Sequence, residues 1–145
     1  MIMRLEMVEK SLVERLKKAN QTQQRDAARI ACKLVFQAVS VDFPIVNDAL
    51  KQLHRGSKLT IEQISGLNSL AAKLDEQYFD LQDRLDNEKS LDVDALRLFS
   101  QARAVSALSF ACGELSLMSA AEAIYEASTA VDDGTRIFEA VLSVL

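Results

Sequence analysis

The stretch RAVSALSFACGELSLMSAAEA, residues 103–123, decides how this chain folds. Between Arg103 and Glu122 only Glu114 is charged, and more than half of the positions are Ala, Ser, Gly or Cys. A membrane span requires roughly 18–20 consecutive apolar residues. Here ten uncharged residues, Ala104 to Gly113, run before Glu114 interrupts them. That is too short to cross a bilayer. A helix that is apolar on every side is instead buried on every side, and small side chains let its neighbours approach closely. A smooth surface kept for a partner, or for a second copy of the chain in a homodimer, is the alternative use of such a stretch.

From Asp92 to Val131 the chain contains no Pro and a single Gly. One helix over those forty residues would be roughly 60 Å long. A folded domain of this size has a radius of gyration of only about 15 Å. The segment must therefore break. Ser119-Ala120-Ala121-Glu122 has the hydroxyl-x-x-carboxylate spacing of a capping box, which predicts a break at Leu117 to Ser119. The stretch is then two helices, the first a central one over about 93–117.

The rest of the chain reads as helix around that centre. It has 145 residues, 49% hydrophobic and 26% charged, with one Pro and four Gly. So few punctuators imply long regular elements, and no hairpin signal occurs. Leu5, Val8, Leu12 and Leu16 share one stripe of a first helix over 3–19. Ala27, Ile30, Ala31, Leu34, Val35 and Ala38 form the buried face of a second over 23–40. Asp42 is the expected N-cap of a third, with Pro44 in its first turn and Gly56 closing it. Thr60-Ile61-Glu62-Gln63 predicts the start of a fourth, running to about Asp86. A short last helix spans 135–144. The expected fold class is all-α: a single-domain orthogonal or up-and-down bundle of six to seven helices.

The same residues exclude several chemistries. "MIMRLEMVEKSL" is charged within six residues and lacks the apolar run of a secretory signal, so cytoplasmic localisation is expected. Cys32 and Cys112 each lie in apolar helical sequence and are expected as buried thiols. Neither a CxxC pair nor a Glu-x-x-His occurs, so no metal and no cofactor is expected. There is no Gly-rich phosphate loop, and the basic KQLHRGSK lacks the interleaved aromatics of a nucleic-acid module. His54, the only histidine, fits a cationic helix C-terminus, and no catalytic residue is assigned.

Charge patterning remains. Residues 1–60 hold 11 Lys/Arg against 6 Asp/Glu, whereas residues 61–145 hold 6 against 15. Glu76, Asp80 and Asp83 recur at i, i+4 and i+7 on one helical face, with Asp86 following. These four are the candidate partner-binding residues, either a solvated face or a docking face for a basic protein. Arg103 and Glu114 flank the smooth helix and are candidate buried polar groups, the inside of a ligand pocket being the functional version. Buried charges of this kind need partners.

Two stretches carry a family resemblance. Residues 25–56, RDAARIACKLVFQAVSVDFPIVNDALKQLHRG, are an Ala-rich helix, an acidic-Pro turn and a second amphipathic helix. Residues 101–131, QARAVSALSFACGELSLMSAAEAIYEASTAV, add paired Ala-rich helices. This order resembles the small all-helical immunity proteins of bacterial polymorphic toxin systems. The resemblance implies a non-catalytic cytoplasmic protein that neutralises a cognate toxin by surface complementarity. An acidic docking face would then meet a basic toxin.

Overall fold

The structure, a computed structural model, describes residues 3–84 and 92–145. A 3-10 turn (Arg4–Met7) precedes α1 (Lys10–Lys18), α2 (Gln21–Ala38), α3 (Pro44–Arg55) and α4 (Ile61–Arg84). Three more helices follow: α5 (Val93–Cys112), α6 (Leu117–Thr129) and α7 (Thr135–Val144). Among the described residues there is no strand. The protein is an all-α helical bundle.

Each boundary has a local cause. Asn20 accepts from the Gln23 amide while the Gln23 side chain accepts from Asn20, so α2 starts two residues earlier than its apolar stripe suggested. Gln24 then turns inward and donates to the Leu16 carbonyl at 3.0 Å, satisfying the end of α1. Asp42 does not cap α3. Its carboxylate accepts from the Asn47 side chain, and Phe43 occupies the N-cap without a side-chain bond. Pro44 follows at the first helical position, where its absent N–H is harmless. Gly56 closes α3 at φ 76°, a left-handed position that disfavours other residues. Thr60 and Gln63 form the expected reciprocal box at the start of α4.

The break in the smooth stretch is real but earlier than predicted. α5 stops at Cys112, Gly113 is extended, and Ser116 and Ser119 cap α6 reciprocally at 2.9 Å. Ser119 is therefore the third residue of α6 and not its cap. A second local box, three residues upstream of the predicted one, therefore starts the helix, and the Glu122 carboxylate accepts from Arg4 instead.

α5 is the bundle's centre, packing most extensively on α4 and α6 and also touching α2 and α3. Ala102, Ala104, Val105, Ala107 and Leu108 are all completely buried. The small residues thus face neighbouring helices within the chain. Burial is not uniform all round: Phe110 keeps 38% of its surface exposed. Leu5, Leu12, Leu16, Val35, Leu67 and Ile124 fill the remainder of one continuous apolar cluster. Val8 departs from the predicted stripe and is 55% exposed, because the helix interrupts between Met7 and Lys10 and loses its phase. Ala38, at the last position of α2, is exposed too.

Gly66 marks the closest approach of α3 to α4. A Cβ on it would lie 2.2 Å from Cδ1 of Ile45. Glycine inside a helix costs about 1 kcal/mol relative to Ala, so here packing overrides propensity. Ile45→Val removes the clashing methyl. In that background Gly66→Ala should stabilise the protein by about 1 kcal/mol, against a smaller gain or a loss in the native background. Urea melts of the four variants measure this coupling, and equal effects in both backgrounds would refute the contact.

Candidate functional site

Two groups of charged side chains stand out, one gathered around a buried carboxylate and one exposed. The first group begins with the N-terminal turn. Arg4 reaches α6, where its guanidinium pairs with Glu122 and donates to Glu126 at 2.7 Å. From the other side, α5 sends Arg103 to the second oxygen of Glu126 at 3.0 Å and to Asp75 of α4. The chain Arg4–Glu126–Arg103–Asp75 therefore ties the N-terminal turn, α6, α5 and α4 together.

Glu126 is its centre, with its side chain only 4% exposed. Its two oxygens face two different guanidinium groups, which is how a carboxylate survives in an Ala-rich core. Aromatic faces complete the setting: Arg4 lies 4.5 Å from the Tyr125 ring and Arg103 lies 5.8 Å from that of Phe99. Hydrogen bonding to Glu122 holds Arg4 protonated well above the ordinary arginine range, with partial burial opposing it. Nε of Arg103 is buried and has no hydrogen-bond partner among the described residues.

Sequence reading identified Arg103 as a buried polar group, and Glu114 as a second one too far along the helix to reach it. Glu114 is not buried: its side chain is 91% exposed and, among the described residues, pairs with Lys58 at 3.8 Å. The physical reason is the early end of α5, which leaves Glu114 in the linker to α6 and not on a helix face. Glu126 was missed. Its signal lay in the Ala-rich stripe, with Ala123 three residues before it and Ala127 and Ala130 after it. A carboxylate in that register is buried with its neighbours. Clefts of about 260, 210 and 450 Å³ open elsewhere on the surface, and neither Arg103, Glu126 nor Glu114 lines any of them.

The exposed group lies on α4. Leu67, Ala71 and Leu74 are buried, and Tyr78 and Leu81 continue that stripe half-buried. The opposite face carries Glu76, Asp80 and Asp83, all exposed and all without an ion pair among the described residues. Asp86 lies outside the described residues. Phe79 sits among these carboxylates, three positions after Glu76 and four before Asp83, with 61% of its surface in water. Its ring stands edge-on to Tyr78 at 5.3 Å, and Tyr78 in turn contacts Phe99 at 5.5 Å.

The remaining candidates have structural surroundings. Cys32 and Cys112 are free and buried. Burial pushes the Cys112 thiol up to about 11, and burial together with nearby Cys112 pushes Cys32 well above its usual value. Both are thus held as unreactive thiols near neutral pH. His54 is exposed in the last turn of α3. Among the described residues no three acidic, His or Cys side chains gather in a metal-binding arrangement, and no helix is long and apolar enough to cross a membrane.

Truncating Glu126 to Ala would leave Arg103 buried with a single counter-ion. Loss of one member of a buried ion pair costs about 3–5 kcal/mol, or a fall in Tm of about 10 °C for a chain of this length. Thermal unfolding of Glu126→Ala measures it, and a loss below about 1 kcal/mol would assign the cluster a peripheral role. Comparisons with protein-family models, curated proteins and solved structures found no match to this chain.

Proposed function

We propose that the chain is a non-catalytic protein-binding module whose docking surface is the outer face of α4. The observation that carries this reading is Phe79, an exposed aromatic ring set among Glu76, Asp80 and Asp83. Each feature has a cost that folding alone does not require. Like charges four residues apart on a helix repel, destabilising it by about 0.2–0.5 kcal/mol per pair. A phenylalanine in water forgoes about 1.5–3 kcal/mol of burial. An apolar anchor within a charged rim is the arrangement that concentrates binding energy in protein interfaces.

The sign of the rim selects a basic partner. The resemblance to immunity proteins gives the specific form of the proposal: the chain neutralises a cognate basic toxin, by occlusion and without chemistry of its own. The carboxylates steer the encounter and Phe79 holds the complex, so the two should separate in kinetics.

Photocrosslinking from position 79 in the native host identifies the partner, and surface plasmon resonance then reads the rates. Reversing Glu76, Asp80 and Asp83 to Lys should slow association at low salt by roughly tenfold or more and flatten its salt dependence. Phe79→Ala should instead raise the dissociation rate, by about tenfold or more for an anchor residue. Association that keeps its rate and its salt dependence after the triple reversal contradicts the proposal.

A further inference from the structure

A cleft of about 260 Å³ opens where α3 and α5 both end against α2. Arg25 and Arg29, one turn apart on α2, and Lys58, just before α4, line it together with Gly56, Ser57 and Cys112. None of its lining residues is a carboxylate. Among the described residues neither guanidinium takes part in an ion pair or a hydrogen bond. Lys58 is held only by Glu114, at 3.8 Å, and that side chain is 91% exposed and free to swing away.

We propose that this cleft is a binding site for a phosphate dianion, free or as the end of a small phosphate monoester. Three positive side chains converge on it. The C-termini of α3 and α5 also reach it, each equivalent to roughly half a negative charge, so a surplus of about one positive charge remains while Glu114 pairs with Lys58, and about two once an anion displaces that exposed carboxylate. That surplus matches a dianion. The carbonyls of these ends do not account for the arginines, since neither guanidinium donates to one. Arg25 and Arg29 instead repel each other across one helical turn without a counter-ion.

Shape and donors agree with the charge. The terminal nitrogen of Arg29 lies 3.4 Å from where a Cβ on Gly56 would stand, so the guanidinium rests over the glycine, where a side chain would crowd it. Its proximity to the cleft floor is also felt by the Cys112 thiol, which Arg29 draws downward against the larger upward effect of burial. The amides of Gly56 and Ser57 are engaged in closing α3, with Ser57 bonded to Gln52 at 2.9 Å. Guanidinium forks, the ammonium and the Ser57 hydroxyl are therefore the donors, the set that phosphate oxygens prefer. The volume lies below the 300–1,000 Å³ of typical drug-sized pockets, which favours a single phosphate group with a short stem.

This site shares no residue with the acidic face of α4, and its test is independent of that proposal. Inorganic phosphate and, separately, glycerol 3-phosphate are titrated into the whole chain at constant ionic strength, with chloride as the control anion. Amide resonances of Gly56, Ser57 and Gly113 report binding. Saturable shifts at these three, absent with chloride, are expected. The probe that saturates at lower concentration tells whether the free ion or the monoester is the natural form.

Arg25→Gln with Arg29→Gln should weaken binding at least tenfold, the scale of a lost charge-assisted hydrogen bond. Should that pair disturb the fold, the exposed Lys58→Gln serves instead, with a several-fold loss expected. Shifts that fail to saturate, that chloride reproduces, or that persist unchanged in these variants would overturn the assignment.

Discussion

A single carboxylate, Glu126, sits in the Ala-rich core between two guanidinium groups, and the arrangement of the helices follows from satisfying it. An uncompensated charge at that depth would cost several kcal/mol. Arg4 must therefore fold back onto α6, which fixes the N-terminal turn. Arg103 must point across from α5, and its second contact, with Asp75, sets the rotation of α4. Neutral helices built from Ala and small residues pack in many registers of similar energy. The ionic chain favours the alignment that brings these groups together.

Around this constraint, close packing does the rest. The completely buried alanines of α5 let α4 and α6 lie against it, and Gly66 lets α3 cross α4 with Ile45 seated over it. Such a core leaves little interior room, consistent with clefts that lie at the surface. The outer charges are then released from structural duty. Glu76, Asp80 and Asp83 have no ion pairs among the described residues, and Arg25 and Arg29 have none either. The charge imbalance between the two halves of the chain thus surfaces as unpaired carboxylates on α4 and unpaired guanidinium groups on α2, among the described residues.

Much of the fold was legible in the sequence because it rests on local chemistry. The Thr60–Gln63 box, the left-handed Gly56 and the apolar stripe of α2 each depend on residues within a few positions. The errors arose where a competing local pattern or a distant residue intervened. The start of α6 was misplaced because a second box, Ser116–Ser119, lies three residues ahead of Ser119–Glu122. Val8 left its predicted stripe because the helix is interrupted between Met7 and Lys10 and loses its phase there. Of the polar groups, Arg103 was identified from its flanks, but its partner Glu126 resembled an ordinary surface residue of an amphipathic helix. Glu114 resembled a buried one and is not. The acidic face was readable from spacing alone, whereas the exposure of Phe79 within it was not, since an aromatic at helical spacing reads equally well as core.

The measurement that bears most directly on this account is a double-mutant cycle between Arg103 and Glu126, with methionine replacing each in equilibrium urea unfolding. If Glu126 organises the core by being paired, either single substitution leaves a buried or half-buried charge with one partner fewer, Asp75 alone for Arg103 and Arg4 alone for Glu126. The double substitution removes both charges. The double variant should then be more stable than the sum of the single losses predicts, with a coupling of about 2–3 kcal/mol. Additive losses would show that the two side chains act independently, and would contradict the claim that this buried ionic chain sets the arrangement of the helices.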